Sequence, residues 1–94
     1  MIGRIKGNIV FIGDKFIIAD VSGVGYKVYV TSETITSVQD GKEITLWTYT
    51  AVRENSLDLY GFLNYEGRSF FEMLLNVSGI GPKSALAILG ISPI

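Results

Sequence analysis

The sequence contains no cysteine and no histidine. Without thiols there is no disulfide framework, thiolate metal site or thiol nucleophile, and without imidazole the commonest general base is gone. No cofactor and no metal are expected. Charge of either sign is scarce: 8 lysines and arginines face 9 aspartates and glutamates, for a net charge of −1. A broad basic field that would draw nucleic acid is therefore missing, and any such binding must rest on local backbone geometry and a few placed cations. Long apolar runs are missing too. The longest uncharged tract, residues 84–94, falls short of the roughly 20 residues a bilayer helix needs. Arg4 and Lys6 break the first apolar stretch early, which argues against a signal peptide. A cytoplasmic protein with no membrane partner is the expectation. What is abundant is apolar content, 48% of 94 residues, with 11 glycines. That is one compact domain, or a small domain with an appendage, and either a dense core or a surface that a partner covers.

The first sixty residues read as strands. Residues 2–6 open one, and 8–12 with 16–21 form a hairpin around Gly13, Asp14 and Lys15. After the Gly23-Val24-Gly25 turn, Tyr26, Val28 and Val30 share one side of a strand while Lys27 and Thr31 face out. Residues 32–39 suggest one helical turn, with Ser32 as its cap. Ile44, Leu46 and Thr48 then alternate with Thr45, Trp47 and Tyr49, and the run continues through Ala51 and Val52. The polar cluster Arg53-Glu54-Asn55-Ser56 ends it. Residues 57–60 return as a last strand, closed by Gly61. Five short strands rich in β-branched and aromatic residues predict a small OB-like barrel over residues 1–62, although periodicity alone does not separate it from an SH3-like one.

Near Asn64 the period changes. Asn64 is a good N-cap and Glu66 falls in the positive first turn. Phe70, Phe71, Leu74 and Leu75 recur at helical spacing, and the helix should fail by Ser78-Gly79. A second helix starts at Pro82 with Gly81 as its cap. Its buried face is Ala85, Leu86, Ile88 and Leu89, and Gly90 is expected to stop it. Residues 63–94 thus read as helix, glycine hairpin, helix.

The segment with chemistry to offer is Gly79-Ile80-Gly81-Pro82-Lys83-Ser84. Gly79 and Gly81 can take positive φ and let another backbone approach, while Ile80 pins the turn between the helices. The hairpin amides and those at the new helix's start lack internal partners, so together they suit an anion. Lys83 adds a positive charge. A DNA phosphate is the natural guest, held without reading a base. A Walker loop is excluded by Pro82 before Lys83, and a dinucleotide fingerprint by Ser84 where glycine is required. The alternative is a turn between packed helices that binds nothing.

Gly79-Ile80-Gly81-Pro82-Lys83 resembles the helix-hairpin-helix motif of DNA-binding proteins. The opening Met1-Ile2-Gly3-Arg4-Ile5-Lys6-Gly7, the Gly23-Val24-Gly25-Tyr26 turn, and Val52-Arg53-Glu54 followed by Leu59-Tyr60-Gly61-Phe62 resemble the bacterial Holliday-junction branch-migration family RuvA. The similarity runs in order along the whole chain.

That resemblance implies an OB-type barrel followed by helix-hairpin-helix motifs, in a homotetramer that holds four-way junction DNA. It implies a non-catalytic DNA-binding subunit whose partner, a RuvB-type ATPase motor, drives branch migration in recombination and repair. Measured against the family, the chain resembles a shortened form ending just past the first hairpin motif, without the second motif, the linker or the motor-docking domain. The turn at Arg53-Glu54-Asn55-Ser56 is similar to the family's acidic pin, whose two carboxylates repel phosphates at the crossover. Here Glu54 is acidic and Asn55 is not, which halves the pin's formal charge, and alternation along the strand keeps Asp58 from leaning in. Other readings remain open: a DNA-binding module with no junction preference, or an oligomerisation module that binds little DNA. Arg4 and Lys6 suit a solvated face, and Trp47, Tyr49 and Tyr29 suit core or subunit contacts.

Overall fold

A computed structural model describes residues 1–91; Ser92, Pro93 and Ile94, the end of the predicted helical segment, lie outside them. The elements in chain order are β1 (Arg4–Ile12), β2 (Phe16–Val21), β3 (Val24–Tyr29), α1 (Ser32–Ser37), β4 (Glu43–Val52), β5 (Leu57–Phe62), α2 (Tyr65–Leu75) and α3 (Pro82–Ile91). The strands close into a five-stranded barrel in the order β1-β2-β3-β5-β4, with β3 and β5 parallel and the other pairs antiparallel. This is the OB-like barrel followed by helices that the strand pattern and helical spacing predict.

Closure depends on β1, which pairs with β4 along its first half and with β2 along its second. The two separate segments expected at 2–6 and 8–12 are one continuous strand. Gly7 does not break it; instead it lets the neighbouring strand approach closely, because a Cβ there would run into the backbone carbonyl of Asp20. A register shift between Ile9 and Phe11 adds a bulge, which leaves the consecutive Val10 and Phe11 both about half exposed, at 53% and 50%.

The β2–β3 connection is a two-residue hairpin on Ser22 and Gly23, both at positive φ (52° and 91°), rather than a turn centred on Val24. Positive φ at both central positions matches the right-handed twist of the flanking strands. β3 consequently starts at Val24 and ends at Tyr29, earlier than its alternating pattern suggests. The cap of α1 is Thr31, not Ser32: the Thr31 hydroxyl accepts from the Thr34 amide at 3.2 Å. β5 likewise runs on past Gly61 to Phe62.

Two apolar clusters result. One fills the barrel with Ile5, Ile9, Ile17, Ala19, Val28, Val30, Ile44, Leu46 and Leu59. The other lies between the outside of β4 and β5 and the helices, where Ala51, Tyr60 and Phe62 meet Phe71, Ala85, Leu86 and Leu89. Phe71 is fully buried at its centre, with ring centroids 4.9 Å from Phe62, 5.3 Å from Tyr60 and 5.5 Å from Tyr49. Arg68 ties α2 to the barrel by a polar route, donating from Nε to the Thr48 carbonyl at 2.8 Å and from Nη1 to Glu72 at 2.9 Å. Buried Thr48 also donates its hydroxyl to the Ile2 carbonyl at 2.6 Å, so the N-terminus and α2 are both anchored to the middle of β4.

Candidate nucleic-acid interface

The connection between α2 and α3 is built by consecutive tight backbone bonds. The Asn64 side chain caps α2 by accepting from the Gly67 amide at 2.7 Å, as its sequence position predicts. At the far end the amides of Asn76 and Val77 donate to the carbonyls of Met73 and Leu74, at 3.1 and 3.0 Å. The Ile80 amide then donates to the Val77 carbonyl at 3.1 Å, closing a four-residue turn whose third residue, Gly79, has φ of 86°. Positive φ at that position is what a type II turn demands, and a side chain there would be strained.

Gly81 plays a different part. Its φ is not positive; its carbonyl accepts the first bond of α3, from the Ala85 amide at 2.9 Å, which makes it the helix cap. Pro82 follows as the first helical residue, where its missing N–H costs nothing. Ile80 packs against the second apolar cluster and holds the corner to the helices. α3 continues through Gly90 to Ile91 instead of stopping at the glycine. A Cβ at Gly90 would rest 3.6 Å from the Ser32 hydroxyl, an ordinary contact, so this glycine lies beside α1 without the neighbour requiring it.

Not every hairpin amide is free. Ile80 uses its own within the turn, contrary to the expectation that the whole corner is unpartnered. Among the described residues, the amides of Gly79, Gly81, Lys83 and Ser84 meet no acceptor, and Gly79, Lys83 and Ser84 are exposed. The last three amides flank Pro82 at the positive end of α3.

Lys83 is turned away from this corner. Its ammonium stands 4.1 Å from the centre of the Tyr29 ring, on the barrel side of α3, with Lys27 5.3 Å from the same ring. Lys83, Lys15, Tyr29 and Tyr60 border a cavity of about 290 Å³ between β3, α1 and α3. Burial pushes the Tyr60 hydroxyl above its ordinary pKa of 10.0; the nearby Asp58 carboxylate adds to the effect and the Arg53 guanidinium opposes it.

The β4–β5 turn at Arg53-Glu54-Asn55-Ser56 is closed by the Arg53 amide donating to the Ser56 carbonyl at 2.8 Å. Glu54 and Asn55 are exposed at its tip. Asp58 is half-buried and alternates onto the same strand face as Tyr60, on which its charge acts. Below the tip, the paired Val52 and Leu57 are strongly exposed, at 67% and 71%. The turn and the hairpin, distant in sequence, meet in the fold. A Cβ on Gly81 would stand 3.8 Å from Nη2 of Arg53. No local spacing reveals that neighbour; only closure of the barrel beneath the helices creates it.

Trp47 packs edge-on against Tyr65 at 5.4 Å, beneath the Arg4 guanidinium at 5.3 Å. Tyr49 and Tyr29 contribute to the second cluster, and Lys6 pairs with Glu43 at 3.9 Å. No aromatic stacking platform is needed to explain these residues.

A family model described as the RuvA N terminal domain matches residues 1–61. The chain is 49% identical over 89 residues to the Holliday junction branch migration complex subunit RuvA of Halothermothrix orenii, covering 95% of this chain and 45% of that protein. The protein of the same name from Rickettsia bellii is 44% identical over 89 residues, covering 95% of this chain and 44% of its own length. That from Natranaerobius thermophilus is 44% identical over 94 residues; the match takes in 99% of this chain, and with it the hairpin, and 44% of the relative. The chain thus spans a little under half the length of these curated relatives. With its closed five-stranded barrel and a family match across most of its length, this chain belongs to the RuvA N-terminal domain family.

Proposed function

We propose that this chain is the junction-gripping part of a non-catalytic DNA-binding subunit, one that recognises four-way junctions and supports ATP-dependent branch migration by a partner motor. The observation that carries the reading is the cluster of amides at Gly81, Lys83 and Ser84 without acceptors among the described residues, aligned with the positive end of α3. Gly79, Ile80, Gly81, Pro82, Lys83 and Ser84 form the phosphate site. The glycines and Ile80 shape the corner, and Lys83 reaches the same strand by swinging off Tyr29. The relatives' printed name, a branch migration complex subunit, supports a role within an assembly.

In this reading residues 1–62 form the barrel and residues 63–94 the first hairpin segment. A homotetramer arrays the sites around four arms, and a RuvB-type ATPase supplies the motion. Glu54 and Asn55 form the pin at the crossover. Like charges held close together away from bulk water repel strongly, so Glu54 pushes phosphates apart, at half the strength of a double carboxylate. The protein acts in recombination and repair in the cytoplasm. A second reading, an oligomerisation module with little DNA affinity, is favoured by the exposed Val52–Leu57 pair.

Binding of a synthetic four-way junction and of linear duplex of equal length, across a salt series, separates these readings. Junction recognition gives clear preference for the branched form, with a log–log salt slope of about −0.9 per phosphate neutralised. Equal affinity for both makes the chain a general DNA binder. A stable oligomer that binds neither makes it an assembly module.

A further inference from the structure

We propose that Arg53, on the barrel's β4–β5 turn, is a further phosphate-binding residue of the hairpin site and supplies the cation nearest its corner. This rests on reading residues 79–84 as a phosphate site. Lys83, the cation adjacent in sequence, directs its ammonium to the Tyr29 ring at 4.1 Å, on the barrel side of α3. Arg53, remote in sequence, brings Nη2 to 3.8 Å from the Cβ position of Gly81. Because Gly81 has no side chain, nothing of its own stands between its amide and the guanidinium. Arg53 is exposed, and the ion pairs among the described residues, Lys6–Glu43 and Arg68–Glu72, leave it unengaged. A planar fork of five donors suits two phosphate oxygens at once, where an ammonium offers only a point charge.

The consequence is mechanical as well as electrostatic. Arg53 directly precedes Glu54, so one four-residue turn bears the cation that grips and the anion that repels. A phosphate shared by the Gly81 amide and Arg53 would lock the base of the pin to the hairpin, fixing where Glu54 meets the DNA.

The test uses the 94-residue chain and a labelled four-way junction across a salt series. Arg53→Ala should weaken binding by about tenfold or more, the loss expected when a charge-assisted hydrogen bond goes, and should make the salt slope shallower by about 0.9. Arg53→Lys should recover the slope but only part of the affinity. Gly81→Val should crowd the guanidinium and weaken binding, because a side chain there would stand beside Nη2 of Arg53. Parent-like affinity and slope in Arg53→Ala, with Gly81→Val still defective, would overturn the role of Arg53 and leave the hairpin reading standing. A parent chain that binds no junction overturns both.

Discussion

Replacing Phe71 by alanine tests whether the helices form a second core separable from the barrel. Phe71 is fully buried and contacts Tyr49, Tyr60 and Phe62, all barrel residues, so its ring is the main apolar link between α2 and the sheet. Truncating a buried phenylalanine costs about 3–5 kcal/mol, because the transfer energy of the ring and the cavity left behind add together. A domain this size has roughly 5–14 kcal/mol in total, so the variant should remain folded in part but be badly weakened. At about 4–8 °C per kcal/mol, its melting temperature should fall by at least 12 °C or so. Amide hydrogen exchange is the discriminating assay. The barrel cluster does not include Phe71, so the amides of Ile17, Val28 and Leu46 should keep most of their protection while those of α2 and α3 lose theirs. Loss of protection in barrel and helices to the same extent would refute the two-core account. So would a destabilisation under about 1 kcal/mol, which would mean the cavity closes by collapse.

Three further outcomes are expected. Arg68→Ala should cost about 1.5–3 kcal/mol in urea unfolding, because it strands the Thr48 carbonyl; Glu72→Gln should cost only about 0.2–1 kcal/mol, because that carboxylate is half exposed. Tyr60 sets an alkaline limit. Both states hold its proton below the ordinary value of 10.0, and above it the unfolded chain ionises first, so stability falls as pH rises through the higher folded value. Tyr60→Phe should flatten that limb of the stability profile, and an unchanged limb would count against the burial argument. Asn55→Asp adds a second carboxylate to the exposed turn and should weaken junction binding in low salt, with the difference fading as the screening length drops below about 5 Å; equal binding by the variant at every ionic strength would remove the pin from the interface.

The barrel was largely legible because half-buried strands must alternate, and Ile44, Leu46 and Thr48 do so without interruption. Errors arose where a glycine's role depends on a neighbour that the chain meets only after folding. Gly7 reads as a break and is a point of close strand approach, since what matters is the Asp20 carbonyl across the sheet. Gly90 reads as a stop yet lies inside α3, which runs on to Ile91 beside α1. At the hairpin, local chemistry placed Asn64, Gly81 and Pro82 correctly as cap, cap and first helical residue. It could not show that Ile80 spends its amide inside the turn.

The amino-acid order alone determined most of the strand and helix content, the caps of α2 and α3 and the glycine corner, because these follow from periodicity and from groups within a few residues of one another. Tertiary structure alone decided which charges face that corner. Lys83 is drawn to Tyr29 on the facing barrel strand, and Arg53 is delivered beside Gly81 by the return of β4 into β5. Side-chain electrostatics act through space over a few ångströms, and only the closed fold sets which residues come that near.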